Sequence, residues 1–210
     1  FRYIFVIRED YGSKAFRWYK KNGFKVVSKI LSFEKKINKS FIVKPSYELL
    51  DSFSSFKKRG SILYKTFTNI NKLYDGFKKR DVKFWYNLRN HYYNHNYDFK
   101  ILILKESKDK YHYALIGKTK MRDNCFRFEI LEFCSNNIVY KKLLLNSIIH
   151  LAKKENCKKI RMKISIFDKT QNFLKKNRFK KNWETNILAK SLLEKNVSLN
   201  KFKFFQTEYI

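Results

Sequence analysis

One short pattern occurs twice in this chain, and it restricts the possible fold more than any other feature of the sequence. The segment WYKKNGF (18–24) aligns with FLKKNRF (173–179), so the two copies are offset by 155 residues. In the first copy a strand-like run (2–9) precedes a helical pattern, and a second strand-like run (24–33) follows it. The sequence therefore predicts one strand–helix–strand unit that is present twice.

The second copy lies inside a longer regular stretch that begins with FRFEILEF (126–133). This run reads as a strand with apolar residues on both faces, with Phe133 on the face opposite to Ile130. The elements predicted after it are a helix over 138–154, a strand over 158–166, a short helix over 168–179 and a returning strand over 182–193.

Upstream of this stretch the pattern is less regular. FKILILKE (99–106) and YHYALIGK (111–118) predict two antiparallel strands joined by the turn SKDK, and the strand at 126–133 is expected to pair next. The elements predicted before them are a short strand over 39–44 and a helix over 47–56, after which Gly60 marks a break. Two further helices are predicted within 69–93, and they divide near 76–81.

The order of these elements resembles the GCN5-related N-acetyltransferase (GNAT) superfamily. The first copy, with Ala15, Tyr19, Gly23 and Phe24, is similar to the superfamily signature A-x-x-[FL]-Y-x-K-x-G-F. The resemblance implies an α/β fold with a mixed, mostly antiparallel sheet flanked by helices. It also implies two domains, as in tandem-GNAT proteins of the "enhanced intracellular survival" type. Residues 1–66 would be the C-terminal part of a first domain plus a connector, and residues 67–210 a complete but degenerate second domain.

The same resemblance implies acetyl-CoA as cofactor. GNAT domains hold its pyrophosphate in a turn of the form [RQ]-x-x-G-x-[GA] after the fourth strand, where glycines let backbone amides approach the phosphates. That turn falls at 135–140, and Ser135, Asn136 and Asn137 stand in a segment without glycine. We therefore expect no close-fitting pyrophosphate site in the second domain.

Tyr19 matches the tyrosine that, in this superfamily, reprotonates the coenzyme A thiolate. A phenol suits this role because its pKa lies only somewhat above that of the thiol. Leu174 is the counterpart of Tyr19 in the second copy, and it cannot donate a proton. The alternative is that Tyr19 is a half-buried packing residue beside Trp18.

The formal net charge of +30, from 48 Lys+Arg against 18 Asp+Glu, leads to a second hypothesis. Such an excess attracts phosphate-rich polymers, although the codon bias of an A/T-rich genome also enriches lysine. The candidate nucleic-acid-binding residues are Lys78, Lys79, Arg80, Lys158, Lys159, Arg161, Lys175, Lys176 and Arg178.

Cysteines and histidines predict no metal site. The 3 Cys lack CxxC spacing, which also argues against a disulfide framework and favours a reducing, intracellular compartment, cytoplasmic or mitochondrial. His91 and His95 are four residues apart, but the glutamate of a zinc-protease motif is absent. The most apolar run, near 143–151, is too short and too polar to span a membrane.

Two functional hypotheses follow. The first is an N-acetyltransferase that moves acetyl from acetyl-CoA to an amine, with Tyr19 as the acid. Because the chain begins with Phe1 on a strand, we expect an upstream half to carry the cofactor turn. The second is a non-catalytic GNAT-fold protein that binds RNA or serves as an organellar ribosomal subunit.

Overall fold

The structure is a computed structural model that describes residues 3–8, 12–38, 47–50, 53–71, 83, 84, 87, 98–166 and 168–191. Its helices are α1 (Lys14–Lys21), α2 (Phe53–Asn71), α3 (Ile138–Lys154) and α4 (Thr170–Lys176). Its strands are β1 (Tyr3–Arg8), β2 (Lys25–Lys36), β3 (Glu48–Leu50), β4 (Asp98–Ser107), β5 (Lys110–Lys120), β6 (Phe126–Cys134), β7 (Cys157–Ser165) and β8 (Lys180–Ser191).

The described strands form an 8-stranded sheet in the order β1-β8-β2-β7-β6-β5-β4-β3. Neighbouring strands are antiparallel except β6 and β7, which are parallel and are joined by α3. This confirms the predicted α/β fold with a mixed, mostly antiparallel sheet. It also confirms the three consecutive antiparallel strands β4, β5 and β6.

The two copies of the repeat interlock within this sheet. β8 lies between β1 and β2, and β2 lies between β8 and β7. Because each of these contacts is antiparallel, β1 and β2 run in the same direction, as do β7 and β8. Each copy is therefore a parallel strand–helix–strand unit that encloses one strand of the other copy.

The pairing of β2 with β8 reveals an approximate two-fold relation between the copies. Ile30 pairs with Thr185, which is the residue 155 positions further along the chain. The register shifts twice, leaving Val27 on β2 and Asn182 on β8 without an opposite residue, and these two positions are also equivalent in the repeat. Equivalent residues thus meet at the centre, with equivalent irregularities on either side.

Two apolar cores lie on opposite faces of the sheet. Along β4, Leu102 and Leu104 belong to the core beneath α3 and α4, whereas Ile101 and Ile103 belong to the core beneath α2. This alternation follows from the two-residue period of a strand. A smaller cluster packs α1 on the sheet through Phe16 against Phe24 and Leu188.

The predicted elements between residues 34 and 93 agree least with the structure. The helix predicted over 47–56 is wrong in its first half, because Glu48–Leu50 forms the edge strand β3 that pairs with Ile101–Ile103 of β4. Gly60 does not interrupt a helix but lies inside α2. The strand predicted over 39–44 lies outside the described residues, as does the division of helices near 76–81.

Strands from both predicted domains share one sheet, so the division into residues 1–66 and 67–210 stays a prediction. No helix in the described part of the chain is both long enough and apolar enough to cross a membrane.

Candidate active site

The parallel strands β6 and β7 separate at their carboxyl ends. Their ladder runs from Phe126–Cys157 to Ile130–Met162, whereas the strands themselves continue to Cys134 and Ser165. Open α/β sheets bind ligands in the crevice outside the carboxyl ends of their strands. The space at the ends of β6 and β7, between the starts of α3 and α4, is therefore the candidate site.

A bulge in β6 borders this crevice. Ile130 pairs with Ile116 and Glu132 with Leu115, so Leu131 has no opposite residue on β5. The extra residue reverses the alternation of side chains, and Phe133 packs against the same core as Ile130. The predicted position of Phe133 on the opposite face is therefore wrong, because an unbroken period of two cannot anticipate a bulge.

The turn after β6 forms hydrogen bonds within itself. The Ser135 hydroxyl donates to the Asn137 carbonyl oxygen (3.0 Å), and Asn137 Oδ1 accepts from the backbone N–H of Val139 (2.9 Å). The Asn137 side chain thus caps α3 and occupies a donor that an anion at this helix start would need. Asn136 is exposed and borders a cavity of about 490 Å³.

A glutamate–histidine pair supports this turn from the β4–β5 hairpin. Glu106 Oε2 lies 2.5 Å from Nε2 of His112, and Asn137 Nδ2 donates to Glu106 Oε1 (3.4 Å). The His112 ring stacks on Tyr140 with 4.4 Å between ring centroids. Its side chain is 1% exposed, and its Nδ1 has no hydrogen-bond partner among the residues that the structure describes.

Burial lowers the pKa of His112, whereas the Glu106 carboxylate acts in the opposite direction. The pKa of Glu106 is itself lowered, first by Lys110 and then by His112. His112 also lines the cavity beside Asn136. Neither residue is among the site residues predicted from the sequence; the pattern that marks the pair is a glutamate and a histidine six residues apart, on either side of a short hairpin turn.

Aromatic side chains connect β6 to α4 at the crevice. Phe133 stacks on Phe173 with 6.0 Å between ring centroids and 27° between ring planes. Phe173 is 6% exposed, and Leu174 beside it is buried in the same core. Side chains rather than an open channel thus lie between the end of β6 and α4.

Tyr19 lies on α1, at the position that Leu174 occupies on α4. Its ring packs edge-on against Phe24 (5.1 Å) and Trp18 (5.1 Å), and the side chain is half-buried. Trp18 is 58% exposed, in contrast to its buried counterpart Phe173. The catalytic role of Tyr19 stays a prediction.

The ends of α1 and α4 are alike at the level of single hydrogen bonds. Asn22 Nδ2 donates to the Trp18 carbonyl oxygen and Asn177 Nδ2 to that of Phe173, both at 2.8 Å. The next residues, Gly23 (φ 82) and Arg178 (φ 63), both have left-handed backbone conformations. The second copy therefore keeps the helix-ending geometry for which glycine is suited, although arginine stands there.

The candidate nucleic-acid residues fall into several environments. Arg161 contacts Glu129, a 1% exposed carboxylate that also accepts from Arg127 (2.7 Å), and Lys159 pairs with Glu34 (2.8 Å). Lys158 is exposed beside Cys125, and Lys175 and Lys176 are exposed in the last turn of α4. Lys78, Lys79 and Arg80 lie outside the described residues.

Within the described part of the chain, no group of three or more His, Cys, Asp or Glu side chains could hold a metal ion. Cys125, Cys134 and Cys157 form no disulfide among the described residues, and burial raises the pKa of Cys157 to about 11. His91 and His95 lie outside the described residues.

Comparison of the whole structure with solved structures identifies the fold. The structure resembles a GCN5-related N-acetyltransferase from Anabaena variabilis (TM-score 0.61, 15% identity, covering 90% of this chain and 46% of that one). A GCN5-related N-acetyltransferase from Sphaerobacter thermophilus is equally similar (TM-score 0.61, 8% identity, covering 95% and 62%). The chain has the GNAT fold.

The GNAT fold also relates the chain to a more distant structure, Saccharomyces cerevisiae N-myristoyltransferase with bound myristoyl-CoA (TM-score 0.52, 9% identity, covering 78% of this chain and 47% of that one). This chain spans 46% and 62% of the length of the two acetyltransferases. No family model matches the sequence, and no curated protein matches it.

Proposed function

We propose that this chain is part of an N-acyltransferase that moves an acyl group from an acyl-CoA thioester to an amine. The observation that carries the proposal is the GNAT fold, seen in structures described as N-acetyltransferases, as a probable N-acyltransferase and as an N-myristoyltransferase with bound myristoyl-CoA. In this reaction the amine attacks the thioester carbonyl carbon, the C–S bond breaks and the thiolate leaves. The nitrogen gives up one proton to solvent as the amide forms, and the thiolate takes a proton from an acid.

We assign the acid to Tyr19 and acyl-CoA binding to the unit that contains the first copy of the repeat. The self-capped turn at Ser135–Asn137 and the stacked Phe133 and Phe173 argue against a pyrophosphate and its attached arm at the second unit. The second unit would then be a scaffold that shapes the acceptor site, in a tandem-GNAT arrangement.

Two experiments test the proposal. Calorimetric titration with acetyl-CoA measures binding by this chain and by a version extended upstream. A turnover assay with an amine acceptor measures the activity of the extended protein. Tyr19→Phe keeps the ring that packs on Phe24 but removes the phenolic hydroxyl that would donate the proton. We therefore expect kcat to fall by about 10²–10⁴-fold. Tyr64→Phe, on the half-buried Tyr64 of α2, is the matched control and should leave kcat unchanged.

The results separate the two functional hypotheses. Micromolar binding by the extended protein, with turnover lost only in Tyr19→Phe, would establish the enzyme and its acid. No binding by either protein, together with salt-sensitive retention on structured RNA, would favour the non-catalytic alternative.

A further inference from the structure

A second cavity, of about 510 Å³, lies at the opposite end of the sheet from the β6–β7 crevice. It is bounded by the end of β2, by Ile149 and Lys153 of α3, and by the segment that leads from Arg178 into β8. The end of β2 pairs with the start of β7, through Lys36 and Lys159. Since α3 has 17 residues, about 24 Å of helix separates Lys153 from the turn at Asn137.

Positive charge dominates this cavity. Its cationic lining residues are Lys35, Lys36, Lys153, Arg178 and Lys180. Glu34 is the one acidic residue among the described residues that line it, and its carboxylate is engaged by Lys159 (2.8 Å) and by Asn182 Nδ2 (3.1 Å). The one carboxylate among the described lining residues is therefore already paired.

Two of these cations, Lys35 and Arg178, are close enough to influence one another. The Lys35 ammonium group donates to the Asn177 carbonyl oxygen (2.7 Å) and lies 5.8 Å from the centroid of the Phe179 ring. Burial and then the Arg178 guanidinium lower the pKa of Lys35. A bound anion would relieve this repulsion. Among the described residues the Lys35 ammonium group has one hydrogen-bond acceptor, which leaves two of its three N–H donors for the anion.

The backbone at Arg178 has a conformation that favours glycine. The equivalent residue in the first copy is Gly23, and both residues have positive φ (82 and 63). A left-handed conformation costs a non-glycine residue about 1–2 kcal/mol. The second copy thus carries a guanidinium at a position where glycine would be less strained.

We propose that this cavity binds a ligand of the nucleoside diphosphate class. Guanidinium and ammonium groups recognise linked phosphates by charge-assisted hydrogen bonds. Ile37 and Ile149 provide an apolar wall for the organic part, and the volume lies within the range of small-molecule sites. The site is separate from the acyl-CoA site proposed above and does not depend on it.

Calorimetry with ADP and with inorganic pyrophosphate at low salt tests the site. We expect ADP to bind more tightly than pyrophosphate, because the apolar wall contacts only the organic part. Arg178→Gly should weaken both by about tenfold or more, since a hydrogen bond to a charged group is lost. The same variant should keep the melting temperature, because glycine suits the backbone at this position.

Lys142→Gln removes one positive charge from an exposed position of α3 and should leave both affinities within about twofold. Equal weakening by both variants would overturn the proposal, because the affinity would then reflect net charge rather than the cavity. Binding of a single-stranded RNA oligonucleotide without binding of ADP would overturn it in favour of a polymer. Acetyl-CoA binding that survives Arg178→Gly belongs to the acyl-CoA site, which keeps the two proposals distinguishable.

Discussion

His112 is a buried histidine that is held by partners from two other elements. It lies on a strand between two tyrosines and its side chain is 1% exposed, as expected of a packing residue. Unlike a purely apolar packing residue, it lies 2.5 Å from the carboxylate of Glu106. Its partners come from the hairpin through Glu106 and from α3 through the stacked ring of Tyr140. Three elements must therefore be in place before the histidine is buried.

This burial predicts a pH dependence of stability. The folded-state pKa of His112 is lowered, so below its ordinary value of 6.5 the unfolded chain binds a proton that the folded chain excludes. The contribution of His112 to the free energy of unfolding is therefore at its full value above pH 6.5. It decreases as the pH falls towards the folded-state pKa, by up to about 1.4 kcal/mol per pH unit. Chemical denaturation between pH 7.5 and 5 measures it.

The variant His112→Gln should reduce this slope, whatever its effect on stability at neutral pH. If the variant and the parent protein lose stability in parallel over this range, the prediction is wrong. Glu106 and Lys110 face the ring and remain in both proteins; because the pKa of Glu106 is lowered from its ordinary value of 4.5, its titration lies below the pH range of this measurement.

At the scale of elements, the two helices of the repeat share their ends but not their burial. Both α1 and α4 finish with a capping asparagine and a left-handed residue. α4 packs into the main core through Phe173 and Leu174, whereas α1 buries Phe16 against a small cluster. Equivalent positions on the two helices therefore contribute differently to stability.

The pair Phe173 and Trp18 tests this difference, since each is the control for the other. Phe173→Ala should cost about 3–5 kcal/mol, because it leaves a cavity against Phe133 in the core. Trp18→Ala should change stability by less than about 1 kcal/mol, because 58% of the side chain is exposed. Urea unfolding measures both, and similar costs would contradict the assignment of α4 to the main core.

At the scale of the whole molecule, β2 connects the two halves of the sheet. It lies between β7 and β8, and Lys29 also pairs with its repeat equivalent Glu184 (2.9 Å). Without β2, the edges of β7 and β8 would expose unpaired backbone groups. The first 38 residues are therefore part of the same folding unit as the strands that follow α3.

We expect residues 47–210 to be insoluble when they are expressed alone, and to co-purify with residues 1–38 when both are expressed together. The affinity tag would be on the shorter fragment, and size-exclusion chromatography would show a complex of both. A soluble, folded 47–210 fragment with the same circular dichroism as the parent would show that β2 is dispensable.

The sequence by itself determined the repeat, the order of elements from β4 to β8, and the resemblance to the GNAT fold. These depend on local periodicity and on a helix-ending pattern that both copies retain. The predicted helix 138–154 matches α3 (Ile138–Lys154), because a capping asparagine begins it and a wide apolar face continues through it.

Only the tertiary structure decided how the copies combine. The placement of β2 between β7 and β8, the bulge at Leu131 and the strand at Glu48–Leu50 all depend on pairing between distant segments. The cationic cavity beside Arg178 arises in the same way, from side chains that lie far apart in sequence. Period and composition describe each segment alone, whereas these features depend on which segments become neighbours.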